Sequence, residues 1–267
     1  LTLNHLAMSG QDFVARIFVC IGAHAQVTIL QEMHTIGSEK TKASVVIEVL
    51  ANIGAQVTYA NIDSLGEQTT AFINREALVR DHATVDWQNA EFNDGNVVIR
   101  VASQLNGEGA ISHANVIGLT IKKQTQGLVT TVLNNGRHTV GHIFQRGVIL
   151  NRSTLVFNGI GKIIKGAKGS DAQQESRVLM LSRRARGDAN PLLLIDENDV
   201  TAGHAASVGR VDDEQMYYLM SRGISERVAR KLVIRGFMGE VLTKMPTQAA
   251  QQKVMAEIER KLQYEDD

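Results

Sequence analysis

From about residue 13 to residue 209 the chain is a succession of short apolar or alternating runs, cut by Gly, Asn and Asp. Alternation at period two marks a half-buried strand. It predicts strands at 16–20, 26–30, 45–50, 56–60, 69–74, 84–88, 97–102, 116–122, 128–133, 139–144, 153–157, 177–181 and 192–195. Asn134-Asn135-Gly136 and Asn106-Gly107 supply turns between them. No stretch in this span holds helical spacing over an ordinary helix length, which counts against Rossmann and α/β-barrel folds.

The runs also echo one another. Ala25-Gln26-Val27-Thr28-Ile29 returns as Ala55-Gln56-Val57-Thr58-Tyr59 and, more faintly, as Ala83-Thr84-Val85-Asp86-Trp87. Repeats of this size point to a solenoid, whose coils bury their inward faces against one another. A β-sandwich is the competing all-β reading, and the small, Thr-rich, Pro-poor composition favours a parallel β-helix. After Gly209 the period changes. Asp212 with Gln215 forms a capping-box pattern ahead of Met216, Leu219 and Met220, and Gly223 closes that helix. Ser225 starts a second helix with Val228, Leu232, Val233, Phe237 and Val241 on one stripe, and Pro246 stops it. Thr247 starts a third, with Ala250, Val254, Ile258 and Leu262 aligned. The expected organisation is a β-helix core over 1–209 and a helical domain over 210–267.

Charge and cysteine content narrow the partners. Lys and Arg number 28, as do Asp and Glu, so the chain lacks the basic excess that nucleic acid or an anionic membrane requires. No apolar run reaches membrane-spanning length and no signal peptide is visible. The one cysteine, Cys20, excludes an internal disulfide and a self-contained Cys-ligated site, and fits the reducing cytoplasm. Cys20 sits in Ile17-Phe18-Val19-Cys20-Ile21 and reads as a buried small hydrophobe. The chain enters β-like sequence soon after Leu1, as a fragment lacking its natural N-terminal region would.

Several motifs look chemical and read more simply as structure. Asn158-Gly159-Ile160-Gly161-Lys162 and Lys165-Gly166-Ala167-Lys168-Gly169-Ser170 miss the phosphate-loop spacing and read as turns. Arg186-Gly187-Asp188 also reads as a turn. His138 and His142 would share a strand face about 13 Å apart, too far for one ion. His204 is different in its setting. It lies between Gly203 and Ala205 at the junction of the two halves, where small neighbours leave the imidazole open to a metal or a partner. On spacing alone a hydrogen-bonded turn histidine is the better explanation.

An ordered series changes that reading. Asn158-Gly159-Ile160-Gly161-Lys162, Gln173-Gln174-Glu175-Ser176-Arg177, Arg186-Gly187-Asp188-Ala189-Asn190-Pro191, Asp199-Val200-Thr201-Ala202-Gly203-His204-Ala205 and Tyr218-Leu219-Met220-Ser221-Arg222-Gly223-Ile224 follow one another. Together they resemble the core of the SufB/SufD family of iron–sulfur cluster assembly proteins, on its SufD side, over roughly residues 157–237. The resemblance implies a right-handed parallel β-helix with a helical C-terminal domain. It implies a non-catalytic scaffold subunit in the cytoplasm that pairs with a SufB-like subunit and docks a SufC-like ABC ATPase through the helices. His204 matches the family histidine implicated at the SufB–SufD interface, where a SufB cysteine supplies thiolate. Ala202 stands where some members carry cysteine, and Ala205 where some carry glutamate, so a site on this chain would be completed by its partner. No cofactor is expected to stay bound to the isolated chain. A transient iron–sulfur cluster is expected in the complex, and flavin is left unassigned.

Tyr218, Arg222, Arg227 and Arg230 are the candidate docking residues of the helical region. Two other functions remain open from the residues themselves. One is a carbohydrate-active β-helix enzyme using acids such as Asp196, Glu197 and Asp199. The other is a purely structural interaction module, able to form a homodimer through the exposed strand edges of an open solenoid end.

Overall fold

The computed structural model describes residues 1–263, apart from the side chain of Glu240. The last four residues of the expected 210–267 helical region therefore lie outside the described residues. Fifteen strands wind into a parallel β-solenoid of about seven turns. Odd strands form one eight-stranded sheet, β1(Thr2–Met8), β3(Gln26–Ile36), β5(Gln56–Ser64), β7(Thr84–Glu91), β9(Ile111–Thr120), β11(Val140–Ile149), β13(Asp171–Met180) and β15(Thr201–Arg210). Even strands form the facing seven-stranded sheet, β2(Phe13–Ile21), β4(Thr41–Ala51), β6(Thr69–Val79), β8(Val97–Leu105), β10(Thr125–Asn134), β12(Thr154–Ile163) and β14(Arg186–Ile195). Gln26, Gln56, Thr84, Ile111, Val140, Asp171 and Thr201 occupy one register position on successive coils. The sequence echo is thus the coil repeat.

The start of each coil explains why the repeat is so regular. His24, Gly54, His82, Gly109, His138 and Gly169 occupy equivalent turns and all have positive φ, between +53° and +71°. Their amides bond to the carbonyls of the next turn, as His24 N to Ile53 O and Gly54 N to Asp81 O. Histidine tolerates this left-handed conformation better than most residues and glycine adopts it freely. The alternation is steric. A Cβ on Gly54, Gly109 or Gly169 would lie within 2.3–2.6 Å of the Nδ1 of His24, His82 or His138. Each glycine leaves room for the ring of the preceding coil. His138 is therefore a turn residue and does not share a strand with His142, because the strand begins only at Val140.

Inward side chains between the sheets form the main core, led by Ile29, Tyr59, Trp87, Ile47, Ile73 and Phe157. Three helices follow, α1(Asp213–Ser221), α2(Glu226–Leu242) and α3(Gln248–Lys261). The latter two cover the outer face of the odd sheet, where Ile62, Phe92, Leu119 and Val148 meet Ile234, Met238, Val254 and Ile258. The third helix uses the predicted stripe and its Thr247 cap, which accepts from Ala250 N. The second uses only the end of its predicted stripe: Phe237 and Val241 pack against the sheet, but Val228 and Leu232 are exposed, and Ala229, Ile234 and Met238 are buried in their place. Among the described residues no helix is long and apolar enough to cross a membrane.

Three further expectations are corrected. Arg186-Gly187-Asp188 opens β14 rather than forming a turn. Cys20 is exposed, because it points outward on the edge strand β2, where inward and outward apolar residues alternate through Phe13–Ile21. His204 lies within strand β15, not in a turn. That strand is built of Ala, Gly and Ser with low β-propensity, and its pairing to β13 forms it.

Candidate functional site

The last coil is open. Strand β15 pairs only with β13, and β14 only with β12, so each presents an unpaired backbone edge. The register Gln174↔His204 places His204 on the inward row that runs Ile29, Tyr59, Trp87, Ala114, Ile143, Gln174, His204. Earlier members of this row are covered by the following coil. His204 has no following coil and is exposed. Ala202 and Ala206, two residues to either side on the same row, are too small to screen it. Leu192, Leu194, Ile195 and Val208 add exposed apolar surface at this end.

The glycine and glutamine motifs build the coils beneath. The Asn158-Gly159-Ile160-Gly161-Lys162 motif, expected as a turn, lies within β12, where Gly159 and Gly161 are inward residues. A Cβ on them would lie 2.9 Å from Gln174 Oε1 and 2.5 Å from Gln174 Nε2, so the missing side chains admit the glutamine amide. Gln174 Nε2 donates to Leu192 O of β14 at 2.9 Å. Ser176 Oγ donates to Gln145 Oε1 at 2.6 Å, and Gln145 Nε2 donates to Thr130 Oγ1 at 2.9 Å. These polar residues tie the two sheets together below His204 and involve no phosphate loop.

Glu197 fixes the turn that delivers β15. Its Oε2 accepts from Gly166 N at 3.0 Å and its Oε1 from Asn198 N at 2.9 Å, with Lys165 Nζ 3.5 Å away. Those amides, Gly166 first, hold the carboxyl down at about 2. A carboxylate so committed is a poor proton donor, which leaves Glu197 unsuited to the general-acid role that a glycosidase needs.

His204 can therefore offer one imidazole nitrogen and no complete ligand set. Among the described residues no group of three or more His, Cys, Asp or Glu is placed to hold a metal ion. Cys20 lies on β2 at the opposite end of the even sheet, roughly 30 Å away at the usual strand spacing.

Of the four helical candidates, Tyr218 and Arg222 are brought together, the guanidinium lying 5.2 Å from the ring centroid. Arg227 is exposed nearby in sequence. Arg230 turns elsewhere, bonding Glu226 at 2.6 Å and lining a cleft against the solenoid. Helix α1 buries none of its residues, and Tyr217, Tyr218 and Met220 remain exposed together with Val228 and Leu232 of α2.

The sequence reading missed a paired-histidine feature on the outer face. His113 Nδ1 lies 2.6 Å from Asp86 Oδ1, His142 Nε2 lies 3.0 Å from Asp171 Oδ2, and the two rings are 5.4 Å apart. The coil repeat was the available signal, since His113 and His142 are register partners.

Comparison with known proteins gives a consistent result. The family model described as "SUF system FeS cluster assembly, SufBD core domain" matches residues 5–237. The iron–sulfur cluster assembly protein SufD of Bacillus subtilis is 40% identical over 261 residues, covering 97% of this chain and 57% of its own. SufD of Escherichia coli is 27% identical over 242 residues, covering 89% of this chain and 56% of its own. A SufBD family protein of Mycobacterium bovis is 31% identical over 81% of this chain. The chain spans little more than half the length of the two SufD relatives.

Proposed function

Because the chain belongs to the SufBD core family of the SUF iron–sulfur cluster assembly system, we propose that it acts as a non-catalytic scaffold subunit whose open solenoid end is completed by a SufB-like partner. The observation that carries this reading is His204, an exposed imidazole on an inward row that belongs to no group of three or more metal-ligating side chains among the described residues. The cluster is cargo in this role. His204 contributes a nitrogen, and a partner cysteine contributes thiolate, the ligand that iron–sulfur clusters chiefly use. The unpaired edges of β14 and β15, flanked by Leu192, Leu194 and Val208, suit strand pairing with a second solenoid. In isolation the same edges favour a homodimer, which light scattering would register.

The apolar face of α1 and α2 is the proposed dock for a SufC-like ATPase. Tyr217, Tyr218, Met220, Val228 and Leu232 supply the apolar anchors, with Arg222 held against Tyr218 and Arg227 at the rim. Cytoplasmic action follows from the same reading.

The test is reconstitution with SufB and SufC partners and His204→Ala. Iron retention should fall by at least about tenfold, because losing a ligand costs no less than losing a group that orients one. Unchanged iron and sulfide content in the assembled complex would remove His204 from the site.

A further inference from the structure

The turns joining odd to even strands stack into a wall on the side of the solenoid toward α2. Five consecutive turns and Arg230 line a cleft of 920 Å3 there, far from His204 in chemistry and built from different residues. The stacking is direct: Arg152 N bonds to Lys122 O at 2.9 Å, and Lys122 N to Asn151 Oδ1 at 2.8 Å.

The cleft is strongly cationic in a chain of zero net charge. Among the described residues its cations are Lys122, Lys123, Arg152, Arg183, Arg184 and Arg230, the last paired with Glu226, and the acids that line it are Glu67 and Asp94. Both acids are already engaged. Glu67 meets Lys122 Nζ at 2.6 Å, and Asp94 meets Arg260 at 2.7 Å and Lys261 at 3.0 Å. Lys123, Arg152, Arg183 and Arg184 have no ion pair among the described residues and are exposed. Coils stack about 4.8 Å apart, so three successive turns carry these charges over about 10 Å. Like charges at that spacing repel, and among the described residues no acid pairs with these four side chains.

We propose that this cleft binds a small ligand carrying two or three linked phosphate groups. Guanidinium forks match phosphate oxygens in pairs, and a linear row of them matches a phosphate chain. The volume falls within the range of small-molecule sites. The described lining contains no aromatic side chain to stack a base, while Leu150 and Leu181 provide an apolar floor. Recognition is thus of the phosphate chain, whether inorganic oligophosphate or the tail of a nucleotide. The proposal does not rest on the scaffold role.

Isothermal titration of the 267-residue chain with tripolyphosphate and with ATP at low ionic strength tests it. Saturable one-to-one binding is expected, weakened by about tenfold or more in Arg152→Gln/Arg184→Gln, the loss expected for charged hydrogen bonds. Lys123→Gln should weaken it less, and Lys40→Gln/Lys42→Gln, at another corner, should leave it unchanged. Equal or weaker binding of ATP assigns the phosphate chain alone, and tighter binding assigns a nucleotide. Either result supports the site. Lack of saturable binding, equal weakening by the two double variants, or tighter binding of decaglutamate than of tripolyphosphate would overturn it.

Discussion

Two stretches of the solenoid interior, built on one plan, behave in opposite ways. In the coils of β5 and β7 the interior encloses Arg75, which is fully buried with Asp63 Oδ2 at 2.6 Å and Glu91 Oε1 at 3.3 Å. Burial, reinforced by Asp63, pushes the Glu91 carboxyl well above its usual range. Asn61 Nδ2 donates to Glu91 at 3.0 Å and completes the arrangement. In the last coil the inward row ends in a lone imidazole with small neighbours and no cover. A solenoid coil is stabilised by the neighbour on each side. Where both are present, a polar inward residue becomes part of the frame; where one is missing, it becomes available to another molecule.

The contrast can be tested from the sealed interior outward. Arg75→Leu leaves two carboxyls buried without their cation and should cost about 3–5 kcal/mol in denaturant unfolding. A loss below about 1 kcal/mol would show that the cluster is not the keystone of these coils.

Lys261 should give the next largest effect. This residue of α3 is buried, with Nζ 2.6 Å from Asn93 O and 3.3 Å from Gln124 Oε1. Burial pushes its amine down to about 8. Between about pH 8 and its unfolded value of 10.5 the folded state binds fewer protons than the unfolded chain, so stability rises with pH. The rise should total roughly 3 kcal/mol in wild type and be missing in Lys261→Met. A flat wild-type profile would place the ammonium in contact with water.

Glu197 lies nearer the open end and should matter less. Its carboxyl is held at about 2, below the ordinary 4.5. A depressed acid contributes stability above the unfolded value, and that contribution is lost as pH falls from about 4.5 to about 2. Glu197→Gln should lower the melting temperature at pH 7, and the gap to wild type should close across that window. The smallest effect belongs to His204→Ala, whose stability should stay within about 0.5 kcal/mol of wild type. A larger change would mean that the imidazole is part of the frame after all.

How far the sequence revealed these features depended on the scale of the signal. The coil repeat was visible because Ala25, Ala55 and Ala83 recur at one position of successive coils, each directly after a left-handed turn. The third helix was visible because its four apolar residues meet a single surface. The second helix was misread in its first half, where it has two apolar sides and spacing does not say which one meets the solenoid; Phe237 and Val241 pack as expected. Cys20 was misread for a similar reason: an edge strand exposes apolar residues that resemble core in a linear run. Strand β15 has almost no local signal, and only its register with β13 makes it a strand. The position of His204 was therefore legible through its ordered motif series. Its inward-row placement and lack of cover required the assembled coils.

The alternating histidine and glycine turns impose a parity on the molecule. Removing a single coil would set histidine on histidine, where a Cβ would meet a ring at about 2.4 Å by the present geometry, or glycine on glycine, leaving a gap. Removing two would restore the pattern. A solenoid of this kind can be lengthened or shortened only in steps of two coils without redesigning its corners, so the distance between its two ends is set in fixed increments.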